Sequence, residues 1–184
     1  MRKVFWGGVL INIIISCVLA IIAHEGFHAL AARLCGVALF SVRPAPAGIR
    51  ARLKGMPKSF KKQTFIFFAG SLLALAFLPV LVFYHGENFF RSLFEANLAI
   101  GIYNLLPMYP LDGAQIFMIV FYKLTGAART FRLIKKLSLI MKTVLAAAGV
   151  IQVLLLGNPS LLIAAVFLPG TGILEEKVSM MKLE

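Results

Sequence analysis

Charged residues are scarce in this chain, where they account for 14% of 184 residues. Ordinary soluble domains have about one quarter of their residues charged, so the composition excludes a typical soluble enzyme or binding domain. The chain also has only two cysteines, Cys17 and Cys35, both in apolar stretches and without the spacing of a metal or redox motif. We interpret them as small buried hydrophobic residues, and no disulfide framework is indicated.

Hydrophobic residues, in contrast, make up 60% of the chain, which is typical of a membrane protein. A chain of this length accommodates about five or six spans of about 20 residues with short loops. We count five hydrophobic runs, at residues 4–34, 64–84, 92–122, 137–156 and 160–174. The predicted fold class is therefore an all-α polytopic membrane protein with about five transmembrane helices.

The third hydrophobic run contains Pro107 and Pro110, which interrupt a helix because proline lacks a backbone N–H donor. Non-helical backbone inside a bilayer is tolerated only where protein or a water-filled cavity satisfies its polar groups. We therefore predict a helix that is broken at these prolines, and we interpret the break as a sign of a functional site.

The formal net charge is +12, and the basic residues cluster in segments 43–62 and 123–136, between hydrophobic runs. This distribution is what the positive-inside rule produces, so we attribute the charge to membrane topology and expect no nucleic-acid partner. The expected location is the cell membrane, with multiple spans and with the basic loops and the C-terminus on the cytoplasmic side.

Apolar and basic residues alternate strictly from Gly48 to Lys54, which is typical of a β-strand. We predict a small membrane-associated β-hairpin after the first helix, with residues 38–43 as the partner strand and residues 44–47 as the connection. An extended substrate could add to the edge of such a hairpin. A basic solvated loop is the alternative.

The sequence His24-Glu25-Gly26-Phe27-His28 matches the motif H-E-x-x-H within the first hydrophobic run. On a helix, this spacing places both imidazoles on one face with the glutamate beside them, which is the arrangement of two zinc ligands and a general base. Each ionisable residue in a span costs about 2.5–3.5 kcal/mol on insertion scales, and a divalent cation would offset that cost. A polar cluster that packs helices together is the alternative.

Catalytic zinc has three protein ligands and an open position, and Asp112 is the only aspartate in the chain. With about 1.5 Å of rise per helical residue, His28 lies about 8 Å from the cytoplasmic end of its span and Asp112 at most about 16 Å from its own. Both residues therefore fall in the cytoplasmic half of the membrane. We predict one Zn²⁺ per chain, bound by His24, His28 and Asp112.

This ligand set predicts a zinc metalloendopeptidase that cleaves membrane-associated or transmembrane proteins. Glu25 is expected to act as the general base that takes a proton from water and returns it to the leaving amine. Asn104, eight residues before Asp112, is a candidate to hold the substrate backbone or to stabilise the oxyanion. Hydrogen bonding between helices is the alternative role for Asn104.

Together, the two motifs resemble the site-2 protease family of intramembrane zinc metalloproteases, which pairs H-E-x-x-H in one span with an L-D-G aspartate in a later one. The resemblance covers residues 4–122. Residues 24–34 and the segment from Asn104 to Gly113 are similar to the branch of stage IV sporulation protein FB. Phe68-Ala69-Gly70 lies where the family has an A-G-P element, with Ser71 in place of the proline.

The resemblance implies specific roles for five residues and a specific class of substrate. It implies zinc binding by His24, His28 and Asp112, catalysis by Glu25 and substrate binding by Asn104. It also implies a membrane-associated hairpin and, for the sporulation branch, a sigma-factor precursor as the substrate. We expect one membrane-embedded domain over residues 1–184, with a catalytic core at about 4–122, additional helices at about 131–174 and no CBS or PDZ domain.

Two other classes of function stay open at this point. The first is a noncatalytic zinc-binding membrane protein, either a transporter or a pseudoprotease. The second is a membrane-tethered binder of nucleic acid or anionic lipid, which would use the basic residues Arg50, Arg52, Lys54, Lys58, Lys61 and Lys62. The sequence leaves the oligomeric state undetermined.

Overall fold

The structure is a computed structural model that describes residues 2–45, 48–53, 57–83, 86 and 89–167. Six helices and two strands occur within these ranges. In chain order they are α1 (Arg2–Leu34), β1 (Leu39–Ala45), β2 (Gly48–Leu53), α2 (Phe60–Phe83), α3 (Phe89–Asn104), α4 (Asp112–Thr125), α5 (Ala127–Leu156) and α6 (Ser160–Phe167). The chain divides into two compact units, Met1–Leu105 and Leu106–Glu184.

In the first unit, α1, α2 and α3 pack against one another, and β2 contacts α1. Ala31 and Ala32 of α1 pack with Ile66 and Ala69 of α2 in one buried cluster. Small side chains let the backbones of neighbouring helices approach closely, which is how helices commonly associate in membranes. The contact between α1 and α2 therefore depends on alanine at three of these four positions.

The contact between α2 and α3 is closer still. A methyl group added at Gly101 of α3 would overlap the Cβ atom of Ala74 in α2. Ser71 of α2 is fully buried and donates a hydrogen bond from Oγ to the carbonyl oxygen of Gly101 (3.1 Å). The absence of a side chain at Gly101 thus permits both the close packing and this hydrogen bond.

The two strands pair in antiparallel register, from Ala45 opposite Gly48 to Leu39 opposite Leu53, with an irregularity between Leu39 and Ser41. This pairing corrects the predicted hairpin, because the expected connection, residues 44–47, is partly strand. Pro44 lies within β1 opposite Ile49, and a two-stranded ribbon tolerates proline because each strand is an edge. Residues 46 and 47 lie outside the described part of the chain.

In the second unit, α5 packs against both α4 and α6. Tyr109, Ala114 and Ile134 form a buried cluster that joins the segment before α4 to the helices. The backbone N–H of Tyr109 donates a hydrogen bond to Oγ of Ser138 in α5 (2.9 Å). This hydrogen bond satisfies one polar group of the non-helical backbone that precedes Asp112.

Three of the described helical segments are long and apolar enough to cross a membrane, Ile11–Leu34, Phe60–Phe77 and Ala127–Leu156. Large apolar side chains are exposed along all three, including Ile22 in α1, Leu75 in α2 and Leu154 in α5. Such surfaces suit contact with lipid, so the fold suits a multi-pass membrane protein. The predicted count of about five transmembrane helices is wrong.

The error has an identifiable cause in two of the hydrophobic runs, the third and the last. The third run is two separate helices, because α3 ends at Asn104 and α4 begins at Asp112. The fourth run does lie in a candidate span, but its helix begins earlier than predicted. Helix α5 starts at Ala127, within the basic segment 123–136, because lysine and arginine are good helix formers. The last run extends beyond the described residues, and α6 has 8 residues.

Replacing Gly101 with alanine tests the packing of α2 on α3. Because the new methyl group overlaps Cβ of Ala74, we expect Gly101→Ala to destabilise the protein by about 1–3 kcal/mol. Ala74→Gly in the same chain removes the overlapping atom and should restore much of the loss. Thermal unfolding in detergent micelles measures both effects.

Gly26→Ala is the matched control, because a Cβ atom there meets nothing within 4 Å. If Gly101→Ala unfolds at the same temperature as Gly26→Ala, the close contact between α2 and α3 is not present in the folded protein.

Candidate metal centre

Helix α1 brings His24 and His28 together one turn apart. Their Nε2 atoms lie 3.1 Å from each other, and the rings meet edge to face with centroids 4.7 Å apart. His24 is buried, whereas His28 and the adjacent Glu25 are partly buried. The pair lies within a helix that is long and apolar enough to cross a membrane.

The orientation of His28 is set by α2. Its Nδ1 atom lies 2.6 Å from the carbonyl oxygen of Ile66. A carbonyl oxygen only accepts hydrogen bonds, so Nδ1 carries a proton, and the neutral form of the ring then has its lone pair on Nε2. A backbone carbonyl that holds one ring nitrogen while the other binds metal is a common outer interaction of metal-binding histidines.

Gly70 of α2 lies directly against both imidazoles. A Cβ atom at this position would lie 2.5 Å from Nε2 of His28 and 2.6 Å from Cε1 of His24. Any side chain would therefore displace the rings. Glycine in a helix interior costs about 1 kcal/mol relative to alanine, and the close approach to the imidazoles gives a physical reason for its presence here.

The two imidazoles fit a tetrahedral zinc ion. Two nitrogen ligands at about 2.0–2.1 Å from tetrahedral zinc lie about 3.3–3.4 Å from each other. The observed separation of 3.1 Å between Nε2 of His24 and Nε2 of His28 is close to this value. The proton on Nδ1 of His28 leaves Nε2 in the form that binds metal.

Asp112 belongs to the second unit, where it is the first residue of α4 and is partly buried. The preceding segment is tightly folded, because Leu111 N–H donates to the carbonyl oxygen of Met108 (2.8 Å) and Met108 N–H to that of Leu106 (2.7 Å). Met108 and Leu111 are buried. The position at a helix N-terminus favours a negatively charged carboxylate.

Asn104 is the last residue of α3. Its side-chain Nδ2 donates a hydrogen bond to the carbonyl oxygen of Ile100, one turn earlier in the same helix (3.0 Å). One N–H of the amide and the side-chain oxygen are not used in this bond. The substrate-binding role predicted for Asn104 therefore stays a prediction.

The sequence did not indicate the contributions of Ile66 and Gly70 to this site. The Phe68-Ala69-Gly70 element resembles a family element, but the resemblance assigns no role to the glycine. A glycine inside an otherwise helical apolar run was the available signal, because such a glycine commonly marks a close approach. The role of Ile66 comes from its backbone carbonyl, so its side chain carries no signal for it.

Comparison with known proteins identifies a curated relative in sequence and a solved structure with a similar fold. No protein-family model matches the chain. The zinc metalloprotease MJ0392 of Methanocaldococcus jannaschii is 28% identical over 152 residues, which cover 76% of this chain and 43% of that protein. The chain thus spans less than half the length of this curated relative.

A solved structure gives the more extensive match. The site-2 protease from Methanocaldococcus jannaschii superposes with a TM-score of 0.64 and 23% sequence identity, over 91% of this chain and 76% of that one. This chain shares the fold of that protease. The likeness establishes the fold alone at this level of identity.

Replacing Gly70 with alanine tests the role of this glycine at the metal centre. The added methyl group would displace both imidazoles, so we expect Gly70→Ala to bind zinc at least about tenfold more weakly, as loss of an outer interaction typically does. Competition against a fluorescent zinc chelator measures the affinity.

Gly26→Ala, which adds a methyl group to the same helix as the histidines without a contact within 4 Å, should bind zinc like the wild type. Equal affinity for zinc in Gly70→Ala and Gly26→Ala would contradict this role of Gly70.

Proposed function

We propose that this chain is an intramembrane zinc metalloprotease of the site-2 type, which hydrolyses peptide bonds in membrane-associated or membrane-spanning proteins. The observation that carries the proposal is the imidazole pair of His24 and His28, with Nε2 atoms 3.1 Å apart in an apolar helix. The relative named as a zinc metalloprotease and the shared site-2 protease fold support the same conclusion.

The proposed metal centre has three protein ligands, namely Nε2 of His24, Nε2 of His28 and a carboxylate oxygen of Asp112. These are the ligands predicted by the H-E-x-x-H motif and by the single aspartate of the sequence. Two imidazoles and one carboxylate are a ligand set typical of catalytic zinc, which keeps its fourth position open. Zinc held there would supply a Lewis acid that polarises the scissile carbonyl and acidifies water.

Glu25 is the proposed catalytic base. It accepts a proton from water as the water oxygen adds to the carbonyl carbon of the substrate, and it then gives that proton to the amide nitrogen as the C–N bond breaks. The products are a carboxylate and an amine. Glu25 directly follows His24 in α1 and is partly buried like His28, which supports its assignment to the same site.

Asn104 is proposed to bind the substrate backbone. Its remaining amide N–H can donate to a substrate carbonyl and its side-chain oxygen can accept from a substrate N–H. The hydrogen bond from Nδ2 to the carbonyl oxygen of Ile100 would hold the amide in place for this role.

A finer proposal concerns the biological substrate and the topology. The resemblance of residues 24–34 and 104–113 to the stage IV sporulation protein FB branch supports a sigma-factor precursor as the substrate, in sporulation. The clustering of basic residues supports a cytoplasmic location for the basic loops and the C-terminus. A single metalloprotease domain over residues 1–184 completes the proposal.

The test compares Glu25→Gln and Asp112→Ala in the purified full chain. Glu25→Gln should lower the cleavage rate about 100-fold to 10,000-fold and keep bound zinc, because an amide cannot accept the proton. Asp112→Ala should lose both zinc and cleavage, because a ligand is removed. Cleavage of a panel of single-span substrates, including a sporulation sigma-factor precursor, is assayed beside zinc content.

Glu95→Gln is the matched control, since Glu95 forms an exposed ion pair with Arg91 in helix α3 (3.0 Å). It should cleave like the wild type. Undiminished cleavage by Glu25→Gln would eliminate Glu25 as the base. Zinc bound by every variant, with no cleavage of any substrate, would instead favour a noncatalytic zinc-binding protein.

A further inference from the structure

An open groove of about 270 Å³ lies where α4 ends and α5 begins. Thr125, Arg129, Arg132, Leu133 and Lys136 line it. The three cations are spaced at i, i+3 and i+7 along α5, which places them on one face of the helix. All of its lining residues belong to the second unit.

The part of the sequence that contains the groove carries positive charge without nearby acidic residues in sequence. From Gly113 to Leu174 there are six basic residues and no acidic residue. The side-chain Nε of Arg132 donates to the carbonyl oxygen of Ala128 (3.3 Å), and this bond leaves both Nη atoms of the guanidinium for another acceptor. An anion that fills the groove would reduce the repulsion among three neighbouring cations.

Thr125 helps to shape the groove. Its hydroxyl donates to the carbonyl oxygen of Phe121 (3.1 Å) and lies 3.0 Å from the hydroxyl of Thr130, which in turn donates to the carbonyl oxygen of Gly126 (2.9 Å). These bonds hold the junction between α4 and α5. Because the hydroxyl of Thr125 donates to the backbone, its proton is not available to an anion. An anion in the groove would instead meet the two guanidinium groups and the ammonium group.

The position of the groove along α5 indicates the source of the anion. Residues 137–156 of this helix contain one charged residue and extend for about 30 Å, which equals the thickness of the hydrocarbon core. Lys136 and the two arginines precede this segment, so they lie at the level of the lipid headgroups. Exposed Leu133 adds an apolar surface for an acyl chain.

We propose that this groove binds the phosphate of an anionic phospholipid, with Arg129, Arg132 and Lys136 as its ligands and Leu133 against the upper part of an acyl chain. Forked guanidinium groups match the geometry of phosphate oxygens. A zwitterionic headgroup brings its own cation and gains less from three positive charges. The site is a second, noncatalytic binding site of the molecule.

The experiment measures binding of dioctanoyl phosphatidylglycerol to the purified full chain in a nonionic detergent, by microscale thermophoresis. Dioctanoyl phosphatidylcholine and inorganic phosphate are the comparison ligands. The variant Arg129→Gln/Arg132→Gln/Lys136→Gln should bind phosphatidylglycerol at least tenfold more weakly. The single variants Arg129→Gln and Lys136→Gln should each bind phosphatidylglycerol about fivefold more weakly. They keep the test decisive if the triple variant does not fold.

The matched control is Arg2→Gln/Lys3→Gln/Arg33→Gln, which removes the same charge from helix α1 of the first unit. It should bind phosphatidylglycerol within about twofold of the wild type. Equal losses in the two triple variants would overturn the proposal in favour of unspecific attraction by net charge. Equal affinity for phosphatidylcholine would also overturn it, and equal affinity for inorganic phosphate would overturn the assignment to lipid.

Discussion

The hydrogen bond between Nδ1 of His28 and the carbonyl oxygen of Ile66 is the interaction on which the proposed metal centre depends. Helix geometry directs the carbonyl of residue 66 towards residue 70, where glycine provides no side chain. The missing side chain at Gly70 therefore both exposes the second lone pair of this carbonyl and makes room for the imidazoles. One contact between α1 and α2 thus determines the tautomer and the position of His28.

The same helix, α2, connects this contact to the rest of the first unit. Ile66, Ala69 and Gly70 face α1, whereas Ser71 and Ala74 meet α3 at Gly101. Helices in lipid gain little from hydrophobic attraction to each other, so close backbone approach and buried hydrogen bonds supply the specificity. The small residues of α2 and α3 stabilise the position of α2, and α2 in turn positions His28. Helix packing therefore contributes to the arrangement of the proposed metal ligands.

Local patterns made some features predictable from the sequence and left others hidden. His24 and His28 could be placed on one helix face because their spacing matches the helical repeat. Hydropathy does not locate the end of α3, because the apolar run continues past Asn104. It does not locate the start of α5 either, because that helix begins among basic residues that also form helices well. The hydrogen bond from His28 to the carbonyl oxygen of Ile66 could not be predicted, because every residue has a backbone carbonyl and the sequence does not distinguish this one.

X-ray absorption at the zinc edge of the purified, zinc-loaded protein tests the central claim most directly, because it reports the atoms that bind the metal. We expect two imidazole ligands at about 2.0–2.1 Å together with carboxylate or water oxygen, and no sulfur ligand. A sulfur ligand at about 2.3 Å, or a spectrum with fewer than two imidazoles, would contradict a metal centre built on His24 and His28.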